Sequence, residues 1–210
     1  MSDNRRDRDR KNSRRNPFRE PKPRILVVTE GEVTEPEYLK AFATAFKNQL
    51  FDVKVAGEHG HDPKSMVGIA KDYLQKSNRH AETKGDEFLR YESVWCVFDV
   101  DDHLRIPEAK VMASDNGIHL AISNPSFELW LLLHFRECPG PQHRDKILEM
   151  LKDSVPGYCK HVDFKHYISG YDDAVRRATK MDELAVEISE EGRNPTTGVY
   201  KLTRLICGSC

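Results

Sequence analysis

The chain has 210 residues, 32% of which are charged, and its formal net charge is −1. This length suits one domain with a substantial hydrophobic core. The longest apolar run, Phe127 to Phe135, is interrupted by Glu128 and His134 and is too short for a membrane span, which needs about eighteen residues. No apolar segment typical of a secretion signal is present, and five cysteines without one favour a reducing cytoplasm.

The charge is unevenly distributed. Residues 1–24 hold ten Lys/Arg and four Asp/Glu, so this segment is +6 and the remainder is −7. Its only large apolar residues are Met1 and Phe18, so we predict a disordered basic arm over residues 1–23. The arm either contacts nucleic-acid phosphates or serves only solubility. The candidate phosphate contacts are Arg5, Arg6, Arg14 and Arg15.

The first half of the chain alternates strand and helix patterns. The apolar run from Ile25 predicts the first strand, and the capping-box spacing at Thr34–Glu37 predicts that the first helix begins at Thr34. The next predicted elements are a strand at 51–56, a loop at 57–63, a second helix, a loop or helix extension at 75–92, a strand at 94–98, a short helix at 107–114 and a strand at 118–122. This order predicts an α/β fold with a four-stranded, mainly parallel sheet.

The second half begins with a helix start at 123–126, where Asn124 is the predicted N-cap and Pro125 the first helical residue. The run that follows is apolar on nearly every side, which predicts a buried helix. Glu128 in its first turn either caps the helix, pairs with a cation or joins an acidic site, because a buried unpaired carboxylate is costly. Further helices are predicted at 143–151, from 171 to about 188, and from Asn194 onward.

Carboxylates follow the first and third predicted strands. Glu30 comes directly after the first strand, and Asp99 and Asp101 come after the third. Sites of open α/β sheets lie at the carboxyl ends of the strands, so neighbouring strands would bring these side chains together. A divalent cation such as Mg²⁺ or Mn²⁺ best explains crowded carboxylates. Gly31 would allow a tight turn and close approach of a phosphate.

Each of these residues also has a plain structural explanation. The Asp99-Val-Asp101-Asp102 string also fits a solvated turn, and Glu128 also fits an acid at a helix start. His134 is expected to be a core histidine, whereas His59, His61 and His103 are expected in loops. Cys207 and Cys210 have CxxC spacing, but free thiols are favoured over zinc ligands. Lys160 and Lys165 lie among aromatic residues and are weak candidates for contacting nucleic acid.

Four segments together resemble the RloB family over residues 24–206. The strings VVTEGEVTEPEY and FDVD also resemble the two signatures of the Toprim fold, which RloB proteins share with OLD nucleases, topoisomerases and bacterial primases. The third string, SNPSFELWLLLHF, is long and specific to the family. The segments are Val27–Tyr38, Phe98–Asp101, Ser123–Phe135 and Asn194–Tyr200.

This resemblance implies a Toprim-like core at about 24–136, a helical extension at 137–210 and a metal-dependent nuclease of bacterial anti-phage defence, including abortive infection, with an ATPase partner. Carried over, Glu30 is the acid/base or metal carboxylate, Asp99 and Asp101 are the metal pair, and Glu35 is an accessory acid. Gly31, Asp102 and Glu128 are further accessory positions.

The substrate stays open between DNA and RNA, including tRNA, and a homodimer is a further candidate state. Two alternatives remain. One is a magnesium-dependent phosphatase or phosphotransferase with Asp99 as nucleophile, although such folds usually place this motif after the first strand. The other is a non-catalytic adaptor that binds nucleic acid or an ATPase.

Overall fold

The computed structural model of the chain describes residues 23–46, 50–55, 62–100 and 105–208. No helix within these ranges is long and apolar enough to cross a membrane. Several sequence predictions concern residues outside them. These are the arm with Arg5, Arg6, Arg14 and Arg15, the site candidates Asp101 and Asp102, the histidines His59, His61 and His103, and Cys210.

A five-stranded sheet forms the centre of the described structure, in the order β2-β1-β3-β4-β5. The first four strands are parallel, and β5 pairs antiparallel with β4 at one edge. The α/β class and the mainly parallel sheet are therefore confirmed, while the predicted count of four strands is wrong. The strands are β1 Arg24–Thr29, β2 Leu50–Val55, β3 Ser93–Asp99, β4 His119–Asn124 and β5 Thr196–Thr197.

Strand β5 replaces the helix start that the sequence predicts at Asn194. The Thr197 hydroxyl lies 2.9 Å from that of Ser123 on β4, and the Gly198 N–H donates to the Ile122 carbonyl at 2.8 Å. A β-carbon at Gly198 would lie 3.2 Å from the Cα of Ala121, so glycine permits this close approach. These contacts with a distant strand override the local helix signal, and the last helix begins only at Val199.

Seven α-helices surround the sheet in the described part of the chain. The predicted start of the first helix at Thr34 is confirmed. Of the two alternatives for residues 75–92, the helix extension holds as far as Lys84, where Gly85 ends the helix with φ 63°. The helices are α1 Thr34–Phe46, α2 Pro63–Lys84, α3 Ile106–Asp115, α4 Phe127–Leu133, α5 Arg144–Ser154, α6 Tyr171–Glu187 and α7 Val199–Cys207.

The start of α4 differs from the prediction by two residues. Strand β4 continues through Asn124, and Ser126 is the N-cap instead. The reason is that the Asn124 side chain donates to the carbonyl of Gly192 at 2.9 Å, which ties it to a distant loop. The predicted burial of this helix is confirmed, because Phe127 and Leu129–Leu133 are all within the core.

Two apolar layers lie on opposite faces of the sheet. Alternate residues of β1 face different layers: Ile25 and Val27 pack with α1 and α4 to α7, and Leu26 and Val28 pack with α2 and α3. Strands that are covered on both faces carry continuous apolar runs, which is why β1 and β3 are recognisable in the sequence. Because the helices cover both faces of the sheet, polar side chains are found at the carboxyl ends of the strands.

His134 is a core histidine, as the sequence predicts. Its Nδ1 donates to the Trp130 carbonyl at 2.9 Å, and its Nε2 accepts from the Tyr38 hydroxyl at 3.0 Å. Burial lowers the pKa of His134 to about 4, so the ring is neutral at physiological pH. It is therefore part of the packing between α1 and α4.

Candidate functional site

A cleft of about 350 Å³ lies at the carboxyl ends of the parallel strands. Strands β1 and β3 are neighbours, with Thr29 opposite Val97, so the residues that follow them leave the sheet side by side. The adjacency of these two strands, which a shared site of Glu30 and Asp99 requires, is therefore present. The cleft is lined by Glu30, Gly31, Glu32, Val33, Thr34, Glu35, Asp99, Phe127, Glu128, Arg144 and Lys160.

Glu30 and Asp99 meet at the centre of this edge. The Glu30 N–H donates to the Val97 carbonyl at 3.1 Å, which extends the β1–β3 ladder by one residue. The Glu30 Oε2 lies 3.5 Å from the backbone nitrogen of Asp99. The Thr29 hydroxyl donates to the Gly31 carbonyl at 3.1 Å and fixes the turn that follows. The two carboxylates predicted from separate strands are thus brought together.

Glu35 lies in the first turn of α1 and is only 7% exposed. Burial raises the pKa of Glu35, and the nearby carboxylates of Glu128 and Glu30 raise it further. The Glu35 carboxyl therefore retains its proton to a higher pH than an ordinary glutamate does.

Gly31 accommodates the Glu35 carboxylate. A β-carbon on Gly31 would lie 2.1 Å from Oε2 and 2.5 Å from Oε1 of Glu35, which no real contact allows. The sequence suggests that glycine here admits a phosphate. In the structure the Glu35 carboxylate fills the space beside the Gly31 backbone. Glycine is needed here because any β-carbon would collide with that carboxylate.

Glu128 lines the cleft from the first turn of α4. Its carboxylate accepts from the Ser126 hydroxyl at 2.8 Å and from the Tyr158 hydroxyl at 3.3 Å. The pKa of Tyr158 is raised by burial and by the charge of Glu128, so the phenol stays protonated and donates. Among the roles that the sequence leaves open, the structure places Glu128 with the acidic site.

Two cations, Arg144 and Lys160, line the same cleft. Lys160 adopts φ 72°, which is uncommon for a residue with a β-carbon. Lys165, the other predicted lysine, is exposed and does not line the cleft. Sequence reasoning missed Arg144, because no local motif marks it: the residue reaches the cleft through the packing of α5 against α4.

The donor set of the cleft is suited to a hard divalent cation. Mg²⁺ typically uses one or two protein carboxylates and completes its shell with waters and substrate phosphates. Glu30 and Asp99 meet that requirement, and none of the described lining residues carries a sulfur or an imidazole. Within the described ranges no three His, Cys, Asp or Glu residues form a group that could hold a metal, and Asp101 and Asp102 lie outside them.

The cysteines give no further ligand set in the part of the chain that the structure describes. Cys96, Cys138, Cys159 and Cys207 are not joined to one another by disulfide bonds. The sulfur of Cys207 lies 3.6 Å from the Tyr171 hydroxyl, at the packing of α7 against α6 and away from the cleft lining.

Comparison with protein families gives one finding that covers most of the chain. The family model described as RloB-like protein matches residues 25–206. This range contains every described lining residue of the cleft and, apart from Arg24 at the start of β1, all five strands. Searches of curated proteins and of solved structures found no match.

Proposed function

The chain belongs to the RloB-like protein family, and from this membership together with the acidic cleft we propose that it is a metal-dependent nuclease of the Toprim type. The observation that carries the proposal is the convergence of Glu30 and Asp99 at adjacent strand ends, with Glu35 and Glu128 in the same cleft. A site of this kind suits the hydrolysis of phosphodiesters, which are anionic and need both a cation and an acid/base group.

The charge of the cleft supports the proposal of a divalent cation. Its described carboxylates outnumber its cations, so a nucleic-acid phosphate would be repelled by the residues alone. We propose Glu30 and Asp99 as holders of Mg²⁺ or Mn²⁺, with Asp101 as the third candidate from the sequence. When bound, such a metal activates a water and neutralises charge on the phosphate.

The remaining residues divide the other tasks. Glu35, with its raised pKa, can hold a proton at its carboxyl oxygen and return it to a leaving oxygen. Arg144 and Lys160 supply positive charge for the phosphate oxygens that face away from the carboxylates. Tyr158 and Ser126 hold Glu128 in one orientation through their hydroxyl groups. A role in anti-phage defence and an ATPase partner are proposed from the family resemblance.

The test is cleavage by the purified full-length protein. It is incubated with DNA and with total RNA in Mg²⁺ or Mn²⁺, with and without an ATPase encoded beside its gene. We expect metal-dependent cleavage that Glu30→Gln and Asp99→Asn abolish. The matched control is Glu92→Gln, since Glu92 is an exposed acid at the opposite end of the sheet, before β3. Cleavage by both site variants at the wild-type rate would refute the proposal.

The same assay separates the alternatives. Release of inorganic phosphate from a small phosphomonoester, without cleavage of nucleic acid, would support the phosphatase alternative. Metal-independent binding of nucleic acid or of the ATPase, without any hydrolysis, would support an adaptor.

A further inference from the structure

The first turn of α1 is bonded to a distant segment, residues 158–162. The Glu37 carboxylate accepts from the Val162 N–H and from the His161 Nδ1, both at 2.9 Å. The Thr34 hydroxyl donates to the Lys160 carbonyl at 2.9 Å. Three bonds therefore connect the start of this helix with three successive residues more than 120 positions further along the chain.

These bonds determine where Lys160 lies. Its backbone, at φ 72°, is in the left-handed region, which a residue with a β-carbon seldom adopts without support from its surroundings. The Thr34 bond holds the carbonyl of Lys160, and the Glu37 bonds hold the two residues that follow. The anchored segment places Lys160 in the lining of the cleft, which the carboxylates share.

We propose that Glu37 is a positioning residue, which fixes segment 158–162 on α1 so that Lys160 contacts a phosphate of nucleic acid bound in the cleft. This inference rests on the proposed function. Glu37 itself does not line the cleft, so it acts only through the segment that it holds. The Val162 N–H and then the His161 ring lower the pKa of Glu37, so its carboxylate remains an ionised acceptor through the neutral range.

The experiment is a double-mutant cycle on binding. The full-length protein and its variants Glu37→Ala, Glu37→Gln, Lys160→Gln and Glu37→Ala/Lys160→Gln are titrated against a fluorescent phosphorothioate oligonucleotide in Mg²⁺. DNA and RNA forms are both used, and the affinity is measured at several salt concentrations. The matched control is Lys152→Gln, because Lys152 is an exposed lysine of α5 that does not line the cleft.

If Lys160 contacts phosphate, Lys160→Gln makes the salt dependence of log affinity shallower by about one unit. It also weakens binding by up to about fivefold, the range for an exposed ion pair. Glu37→Ala is expected to produce the same two changes, and the double variant to bind no more weakly than Lys160→Gln alone. Glu37→Gln keeps an oxygen for the Val162 N–H and should restore most of the affinity.

A second readout follows the anchoring itself. Trypsin cleaves after lysine, so the rate at which a fragment ending at Lys160 appears reports how firmly the segment is held. Glu37→Ala should accelerate this cut.

The outcomes separate the two proposals. Wild-type affinity in Glu37→Ala, or multiplicative losses in the double variant, would overturn the positioning role and leave the nuclease proposal standing. A wild-type protein that binds neither oligonucleotide would overturn both.

Discussion

Gly31→Ala tests how the cleft is built. The new β-carbon would lie 2.1 Å from Glu35 Oε2, and an ordinary contact begins at 3.4 Å, so that oxygen must retreat by about 1.3 Å. A retreat of this size displaces the buried Glu35 side chain from the position that it occupies in the first turn of α1. The fold should survive, since the atoms displaced are the end of a flexible side chain.

The magnitude follows from two opposing effects. Overpacking of a buried side chain typically costs about 1–3 kcal/mol of the free energy of unfolding. Replacing glycine by alanine offsets about 0.4–1 kcal/mol of that loss by reducing the entropy of the unfolded chain. We therefore expect Gly31→Ala to destabilise the protein by about 1–2 kcal/mol, which corresponds to a melting temperature lower by about 2–8 °C.

The assay is urea unfolding of Gly31→Ala in the wild-type background and in Glu35→Ala. Without the carboxylate the new methyl group has room, so the cost of Gly31→Ala should fall below about 0.5 kcal/mol. The matched control is Gly68→Ala in α2, where the nearest atom to a new β-carbon is Met112 Cε at 3.9 Å. That variant should be as stable as wild type or more so, because alanine favours a helix. An equal cost of Gly31→Ala in both backgrounds would refute the reasoning.

Four further predictions concern charge. Without metal, Asp99→Ala and Glu30→Gln should melt no lower than wild type, since each removes repulsion between carboxylates, and calorimetry checks this. Deletion of residues 1–22, which carry nine positive and four negative charges, should weaken nucleic-acid binding and make its salt dependence shallower, whereas identical slopes would reduce the arm to a solubility tail.

Because the pKa of Glu35 is raised on folding, its contribution to stability is complete below the unfolded value of 4.5. This contribution is lost as the pH rises through the folded pKa. Unfolding of wild type and Glu35→Gln across pH 4–8 measures the difference. The contribution of His134 to stability depends on pH in the opposite direction. It is present above pH 6.5, amounts to on the order of 3 kcal/mol, and is lost as the pH falls toward about 4. A His134→Gln variant should lack this acid dependence.

Local sequence patterns were sufficient to predict the elements that depend on burial and capping within a short segment. The apolar runs of β1 and β3 and the helix start at Thr34 follow from burial and capping, and both are as predicted. The location of Glu30 and Asp99 at strand ends follows in the same way, and their convergence then depends on the neighbouring positions of β1 and β3 in the sheet.

Contacts between distant residues account for the errors. Asn124 is bound to Gly192 and Thr197 to Ser123, and neither partner can be identified from the local sequence. The same holds for Arg144, which reaches the cleft because α5 packs against α4, and for Tyr158, which donates a hydrogen bond to the cleft residue Glu128. A single sequence gives no measure of such long-range packing, so these members of the site were not predicted.

The cleft is built by both parts of the chain. The expected boundary near residue 136 stays a prediction, but the lining draws its carboxylates from the N-terminal side and its cations, Arg144 and Lys160, from the C-terminal side. Glu128 obtains one of its two hydroxyl donors from Tyr158, across the same boundary. Since a phosphate needs the cations and a metal needs the carboxylates, neither part alone carries the chemistry that we propose. The hydrogen bonds from Thr34 and Glu37 to segment 158–162 connect the part of the chain that supplies the carboxylates to the part that supplies Lys160.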